Sequence, residues 1–83
     1  MEKVFDVEVV TRDGCMYSGK AVSLVAPSGY GYLGVLADHA PLIASLEKGT
    51  IRLRDAAGKL STIDFKVSGF LHVVRNMATI LLT

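Results

Sequence analysis

Residues 4–11 read VFDVEVVT, and along this stretch apolar side chains alternate with acidic ones. Phe5, Val7 and Val9 fall on one side of an extended chain, and Asp6 and Glu8 fall on the other. A period of two places one face against a core and the opposite face in water, whereas helical spacing would put Asp6 on the apolar stripe. The stretch therefore predicts a half-buried β-strand.

The same alternation returns in residues 50–54 and 62–67, where Ile51, Leu53 and Phe65 have polar or charged neighbours. Turn signals rich in glycine separate such segments at intervals of roughly eight to twelve residues, which is typical of a sandwich or barrel. Tight turns favour antiparallel pairing, and two packed sheets bury strands that are apolar on one side. We therefore expect an all-β fold, a two-sheet antiparallel β-sandwich of about eight to ten short strands. Only residues 38–47 could hold a helical turn, and Pro41 fits poorly inside one.

Three segments are apolar on both sides of the predicted strand: residues 21–26, 70–74 and 77–82. The chain of 83 residues is 51% hydrophobic, which is more apolar surface than two inner sheet faces of this size readily hide. An uncovered apolar strand face is an aggregation hazard, so a partner is expected to cover part of it.

Charge and cysteine content exclude several classes of function. The nine basic residues are interleaved with eight acidic ones, and no basic face of the kind that binds nucleic acid is evident. Cys15 is the one cysteine, so an internal disulfide framework is excluded and export to an oxidising compartment is not implied. No apolar run reaches the ~20 residues that span a bilayer, and residues 1–6 do not resemble a signal peptide.

Residues 29–34 read GYGYLG and match the dinucleotide-binding pattern G-x-G-x-x-G. In that motif the third glycine opens a helix whose N-terminus holds the pyrophosphate. Here Pro41 follows soon after Gly34 and no second βαβ unit is present, so we expect a bent or bulged strand instead. No cofactor is predicted.

Asp38 next to His39 suggests a catalytic dyad, but adjacent residues on an extended chain point in opposite directions. The sequence supplies no activated nucleophile for them, and the two histidines and one cysteine lack the spacing of zinc ligands. We therefore predict no catalytic residue and no metal site.

Residues 31–42, GYLGVLADHAPL, closely resemble the central motif of the epsilon subunit of rotary ATP synthases. The flanking segments agree with that family in order and spacing: Val9–Thr11, Tyr17–Gly19, Leu46–Arg52, Gly69–Val73, Asn76 and Thr79–Leu81. The resemblance implies a two-sheet sandwich without an active site. It also implies binding to the gamma subunit and the membrane c-ring, so that rotation is coupled to ATP synthesis. The location implied is peripheral, at the cytoplasmic face of the inner or plasma membrane.

The resemblance also predicts which residues lie at a partner interface: Tyr30, Tyr32, Asp38, His39, Pro41 and Leu42. Tyr30 and Tyr32 stand where the family commonly has acidic residues. The chain ends at Thr83, where the helical hairpin that the family usually adds would begin. We therefore expect a single sandwich domain over residues 1–83 without that hairpin.

The alternative is a stand-alone β-sandwich that binds a small ligand or peptide through Tyr30 and Tyr32. The two hypotheses predict different surfaces. A stalk subunit needs an extended apolar patch, whereas a ligand-binding module needs a concave pocket with convergent polar groups.

Overall fold

A computed structural model of the protein describes residues 3–83. Nine β-strands account for most of this part of the chain, and no helix occurs in it. Nothing in residues 3–83 forms a helix able to cross a membrane. The strands are β1 (Phe5–Thr11), β2 (Gly14–Ala21), β3 (Ser23–Ser28), β4 (Gly31–Leu36), β5 (Leu42–Leu46), β6 (Gly49–Arg54), β7 (Leu60–Phe65), β8 (Gly69–Val74) and β9 (Met77–Leu82).

The strands form two layers, which are joined by one pair of facing residues on β3 and β5. One layer has the order β2-β1-β9-β8-β5, and the other has the order β4-β3-β6-β7. Between the layers, Ser28 of β3 pairs with Leu46 of β5, and the Glu47 N–H donates to the Pro27 carbonyl at 3.1 Å. The sheet therefore curls at this point, and its two halves enclose the core. The predicted all-β sandwich is confirmed.

The core is built from alternate residues of both layers. Val9, Leu71 and Ile80 of the first layer and Leu24 and Ile51 of the second are each 0% exposed and belong to one cluster. No polar or charged side chain of residues 3–83 is buried. The period-two predictions for residues 4–11 and 50–54 are thus confirmed, because the predicted inward residues are buried: Phe5, Val7, Val9, Ile51 and Leu53. In residues 62–67 the alternation holds as far as Phe65, whereas Val67 lies beyond the end of β7 and is 45% exposed.

Two details of the strands differ from the predictions. β1 and β9 pair in parallel, from Asp6 opposite Met77 to Thr11 opposite Leu82, because nearly the whole chain between them serves as the crossover. Residues 21–26 are not one strand. β2 ends at Ala21, and β3 begins at Ser23 in the second layer. Between them the Val22 N–H donates to the Arg54 carbonyl at 2.7 Å. Ala21, Val22, Leu24 and Ala26 are all buried, so this segment supplies core residues rather than an uncovered face.

Gly69 begins β8 where the backbone passes close to β9. A Cβ added there would lie 2.5 Å from the Leu81 carbonyl oxygen and 2.9 Å from a methyl carbon of Leu82. Real Cβ atoms do not approach backbone oxygens so closely, and the contact is with backbone that cannot easily move. Gly69 is therefore required for the close packing of β8 on β9, and its backbone does not have a positive φ.

Candidate partner-binding surfaces

An uncovered apolar surface lies on the outer face of the first layer. It consists of Ile43 on β5, Phe70 on β8, and Met77 and Leu81 on β9, with exposed fractions of 75%, 52%, 37% and 41%. We call these four residues the outer-face patch. Phe70 is directly opposite Leu81, and residues that pair across adjacent strands present their side chains on the same face. The predicted uncovered faces of residues 70–74 and 77–82 are therefore real.

Polar side chains lie within the outer-face patch and along one border. His72 is opposite both Ile43 and Thr79, and Ser45 is opposite Phe70. On the neighbouring β1, Asp6 accepts an ion-pair hydrogen bond from Lys20 at 2.7 Å, with both side chains more than half exposed. An apolar centre with a polar and charged border is the usual anatomy of a protein–protein interface.

A second candidate surface is the connection between β4 and β5, which comprises residues 37–41 and is called the corner here. The Asp38 N–H donates to Asn76 Oδ1 at 2.8 Å, and Lys3 Nζ lies 3.3 Å from Asp38 Oδ2. His39 Nδ1 is 2.6 Å from the carbonyl oxygen of Ala40. Pro41 is exposed, while the Leu42 side chain is half-buried and packs against the core.

The structure does not bring the six predicted interface residues into one cluster. Tyr30 and Leu42 line the same groove, whereas Asp38, His39 and Pro41 lie in the corner. Tyr30 and Tyr32 lie at the β3–β4 hairpin, whereas the corner begins at the opposite end of β4, a strand of six residues. At about 3.3 Å per residue, this strand separates the two groups by roughly 20 Å. The hairpin and the corner therefore lie at opposite ends of β4, and they are considered separately.

The glycine motif of residues 29–34 forms a hairpin and a strand rather than a phosphate-binding turn. Gly29 and Tyr30 are the two loop residues between β3 and β4, and Gly31 adopts a φ of 114°. The N–H of Tyr30 donates to Ser28 Oγ at 3.2 Å, which closes the turn. No helix follows the motif. Tyr30 is fully exposed to solvent, and Tyr32 is 68% exposed.

Between this hairpin and β5 is an open groove of about 680 Å³. Most of its lining is apolar or backbone, with Leu33, Leu42, Ile43 and Ala44 among the lining residues. Tyr30 lines the groove but Tyr32 does not, and no charged side chain contributes to it. The two tyrosines therefore do not line a common pocket, and the groove lacks the several convergent polar groups that fix a bound ligand. Across residues 3–83, no group of three His, Cys, Asp or Glu side chains is placed to hold a metal ion.

Asn76 was not among the predicted interface residues, and its sequence position indicated only a resemblance to epsilon subunits. Its side chain connects the corner to the start of the chain, because Nδ2 also donates to the Val4 carbonyl at 2.9 Å. Its partners are 38 and 72 residues away in sequence, so no local pattern reveals them.

Comparison with solved structures supports the fold. A chain in the cryo-EM structure of Euglena gracilis mitochondrial ATP synthase superposes with a TM-score of 0.84 at 20% sequence identity, over 92% of this chain and 48% of that one. A chain of the Tetrahymena thermophila mitochondrial ATP synthase central stalk and c-ring structure gives 0.78 at 13% identity, over 99% and 65%. At these identities the likeness concerns the fold.

Sequence relatives are considerably closer. The ATP synthase epsilon chain of Dichelobacter nodosus is 40% identical over 82 residues, which is 99% of this chain and 56% of the relative. The epsilon chain of Latilactobacillus sakei is 41% identical over 81 residues, or 95% and 55%. The chain thus spans a little over half the length of these curated relatives. Residues 4–83 also match the family model for the β-sandwich domain of the ATP synthase delta/epsilon chain. With that match over nearly its whole length, the chain belongs to the family of ATP synthase delta/epsilon chain β-sandwich domains.

Proposed function

We propose that this domain is a non-catalytic module of the ATP synthase central stalk that binds the gamma subunit through the outer-face patch. The single observation behind this proposal is the patch itself, with four large apolar side chains on three neighbouring strands and at least 37% of each exposed. The choice of gamma as the partner rests on the resemblance to epsilon subunits, which the identities of 40% and 41% to two epsilon chains support.

The physical argument for a permanent partner is the cost of leaving this patch in water. Burying apolar surface contributes roughly 25 cal/mol per Å², and apolar centres are typical of obligate interfaces. The patch residues lie on one face of three neighbouring strands, β5, β8 and β9, with His72 among them, so a single partner surface can cover the patch. Complex formation with the cognate gamma subunit is the test of this proposal.

We assign the two other groups of residues separately, because they lie at opposite ends of β4. The corner, with Asp38, His39 and Pro41, adjoins the patch through β5 and the β8–β9 turn and is placed at the edge of the gamma contact. The hairpin tip, with Tyr30 and Tyr32, is placed at the c-ring. Its exposed tyrosines can form apolar and hydrogen-bonded contacts where the family commonly uses acidic residues.

A photo-reactive amino acid at Tyr32 is expected to capture the c subunit in the assembled ATP synthase. The same group at Ala40, which is exposed in the corner, serves as the matched control and is expected to capture gamma instead. Products are identified by mass spectrometry of the cross-linked bands. Capture of the c subunit from Ala40 and not from Tyr32 would reverse the assignment of the two ends.

A further inference from the structure

Asn76 connects three segments of the chain that are distant in sequence. Its Oδ1 accepts the N–H of Asp38 at 2.8 Å, and its Nδ2 donates to the Val4 carbonyl at 2.9 Å. Its own backbone carbonyl accepts the N–H of Asp6 at 3.1 Å. One partly buried residue thereby ties the β8–β9 turn to both the corner and the start of β1.

The chemistry of this position restricts which residue can serve there. Asn76 has a φ of 61°, a left-handed conformation that asparagine and glycine adopt more readily than other residues. Its amide group donates and accepts at the same time. Aspartate would keep the acceptor but lose the donor to Val4, and glycine would keep the backbone conformation but lose both bonds.

The corner is held at its first residue by Ala37, which packs against the core, and has few other contacts to fix its backbone. Residues 37–41 are in no strand, and Asp38 itself has a φ of 61°. The contact between Asp38 and Lys3 is an ion pair between side chains that are 60% and 80% exposed, and exposed pairs of this kind contribute little. Beyond the core contact of Ala37, the hydrogen bond from the Asp38 N–H to Asn76 is therefore the main hydrogen-bonded tether of the corner backbone.

We propose that Asn76 is a positioning residue that fixes the corner relative to the outer-face patch. The patch residue Met77 follows Asn76 directly, so the same turn carries both the tether and part of the apolar surface. A held corner presents Asp38 and His39 to a partner without an ordering cost at the moment of binding. The effect on partner binding rests on the proposed function, whereas the tethering of the corner by Asn76 does not.

The tether is tested by amide hydrogen exchange in the N76G variant. Glycine preserves the positive φ, so the bond from the Asp6 N–H to the backbone carbonyl of residue 76 is retained. We expect exchange at Asp38 to accelerate by roughly tenfold or more while exchange at Asp6 is unchanged. R75G is the matched control, since residue 75 lies in the same turn with a φ of 51°, and it should alter neither amide. Equal acceleration at Asp38 and Asp6, or none at Asp38, would overturn the positioning role.

The consequence for binding is measured with the cognate gamma subunit. N76G is expected to raise the dissociation constant roughly two- to tenfold, the range set by the net contribution of a hydrogen bond, while R75G leaves it unchanged. Unchanged affinity of N76G for gamma would contradict the proposal that the tethered corner contributes to binding. If the wild-type domain does not bind gamma, the proposed function fails, and the exchange experiment still decides the tether.

Discussion

Replacement of Leu71 by alanine is expected to destabilise the domain by about 2–5 kcal/mol, the cost of a large cavity in a packed core. Leu71 is 0% exposed, lies in the middle of β8, and pairs with Ala44 on one side and Ile80 on the other. A domain of this size has a total stability of roughly 4–12 kcal/mol, so the variant should lose a large part of it. Urea denaturation followed by far-ultraviolet circular dichroism measures the loss.

The adjacent residue provides the control for this experiment. Phe70 is larger than Leu71 but points outward, with 52% of its surface exposed. Phe70→Ala should therefore change the free energy of unfolding by no more than about 1 kcal/mol, since exposed substitutions usually have small effects. Equal destabilisation by the two variants would show that the inner and outer faces of β8 are assigned incorrectly.

Phe70→Asp is expected to weaken the complex with gamma by roughly 30-fold or more, while leaving the isolated domain folded. Aromatic residues near the centre of an interface commonly contribute about 2 kcal/mol or more, and a buried unpaired carboxylate adds a further cost. Phe70 has that central position, because it is opposite Leu81 on β9 and opposite Ser45 on β5. Isothermal titration calorimetry gives the dissociation constant, and circular dichroism verifies the fold.

Leu60→Asp is the matched control, because Leu60 is 70% exposed but lies on β7 in the other layer. It introduces the same charge at an apolar side chain that is even more exposed than Phe70, and we expect the affinity for gamma to be unchanged. Weakening by Leu60→Asp without weakening by Phe70→Asp would place the gamma contact on the β4-β3-β6-β7 layer instead.

Much of the fold could be predicted from local alternation, because inward and outward residues differ in polarity along most strands. Asp6 and Glu8 separate the core residues of β1, and Asp64 and Lys66 flank Phe65. β5 was less evident, because Ile43 is apolar and yet faces outward. An apolar residue on the outer face thus obscures the pattern of its own strand.

Long-range arrangement could not be predicted in the same way. The pattern of β1 predicts a half-buried strand but not its parallel partner β9, since pairing depends on where the rest of the chain leads. The predicted interface residues are close in sequence, and β4 nevertheless separates the tyrosines of the hairpin from Asp38 and His39 of the corner. The role of Asn76 depends on bonds to Val4 and Asp38, which only the folded chain brings within reach.

If an apolar surface attaches this domain to gamma, as we propose, the affinity should depend only weakly on salt. The dissociation constant of the wild-type domain and cognate gamma should be measured at about 0.05 M and about 1 M salt, where the Debye length falls to about 3 Å. An interface of the obligate class buries about 2,000 Å² or more around an apolar centre, which screening does not weaken. We predict dissociation constants within roughly threefold of each other. Failure to bind at both concentrations, or binding that is lost at high salt, would contradict attachment to gamma through an apolar surface.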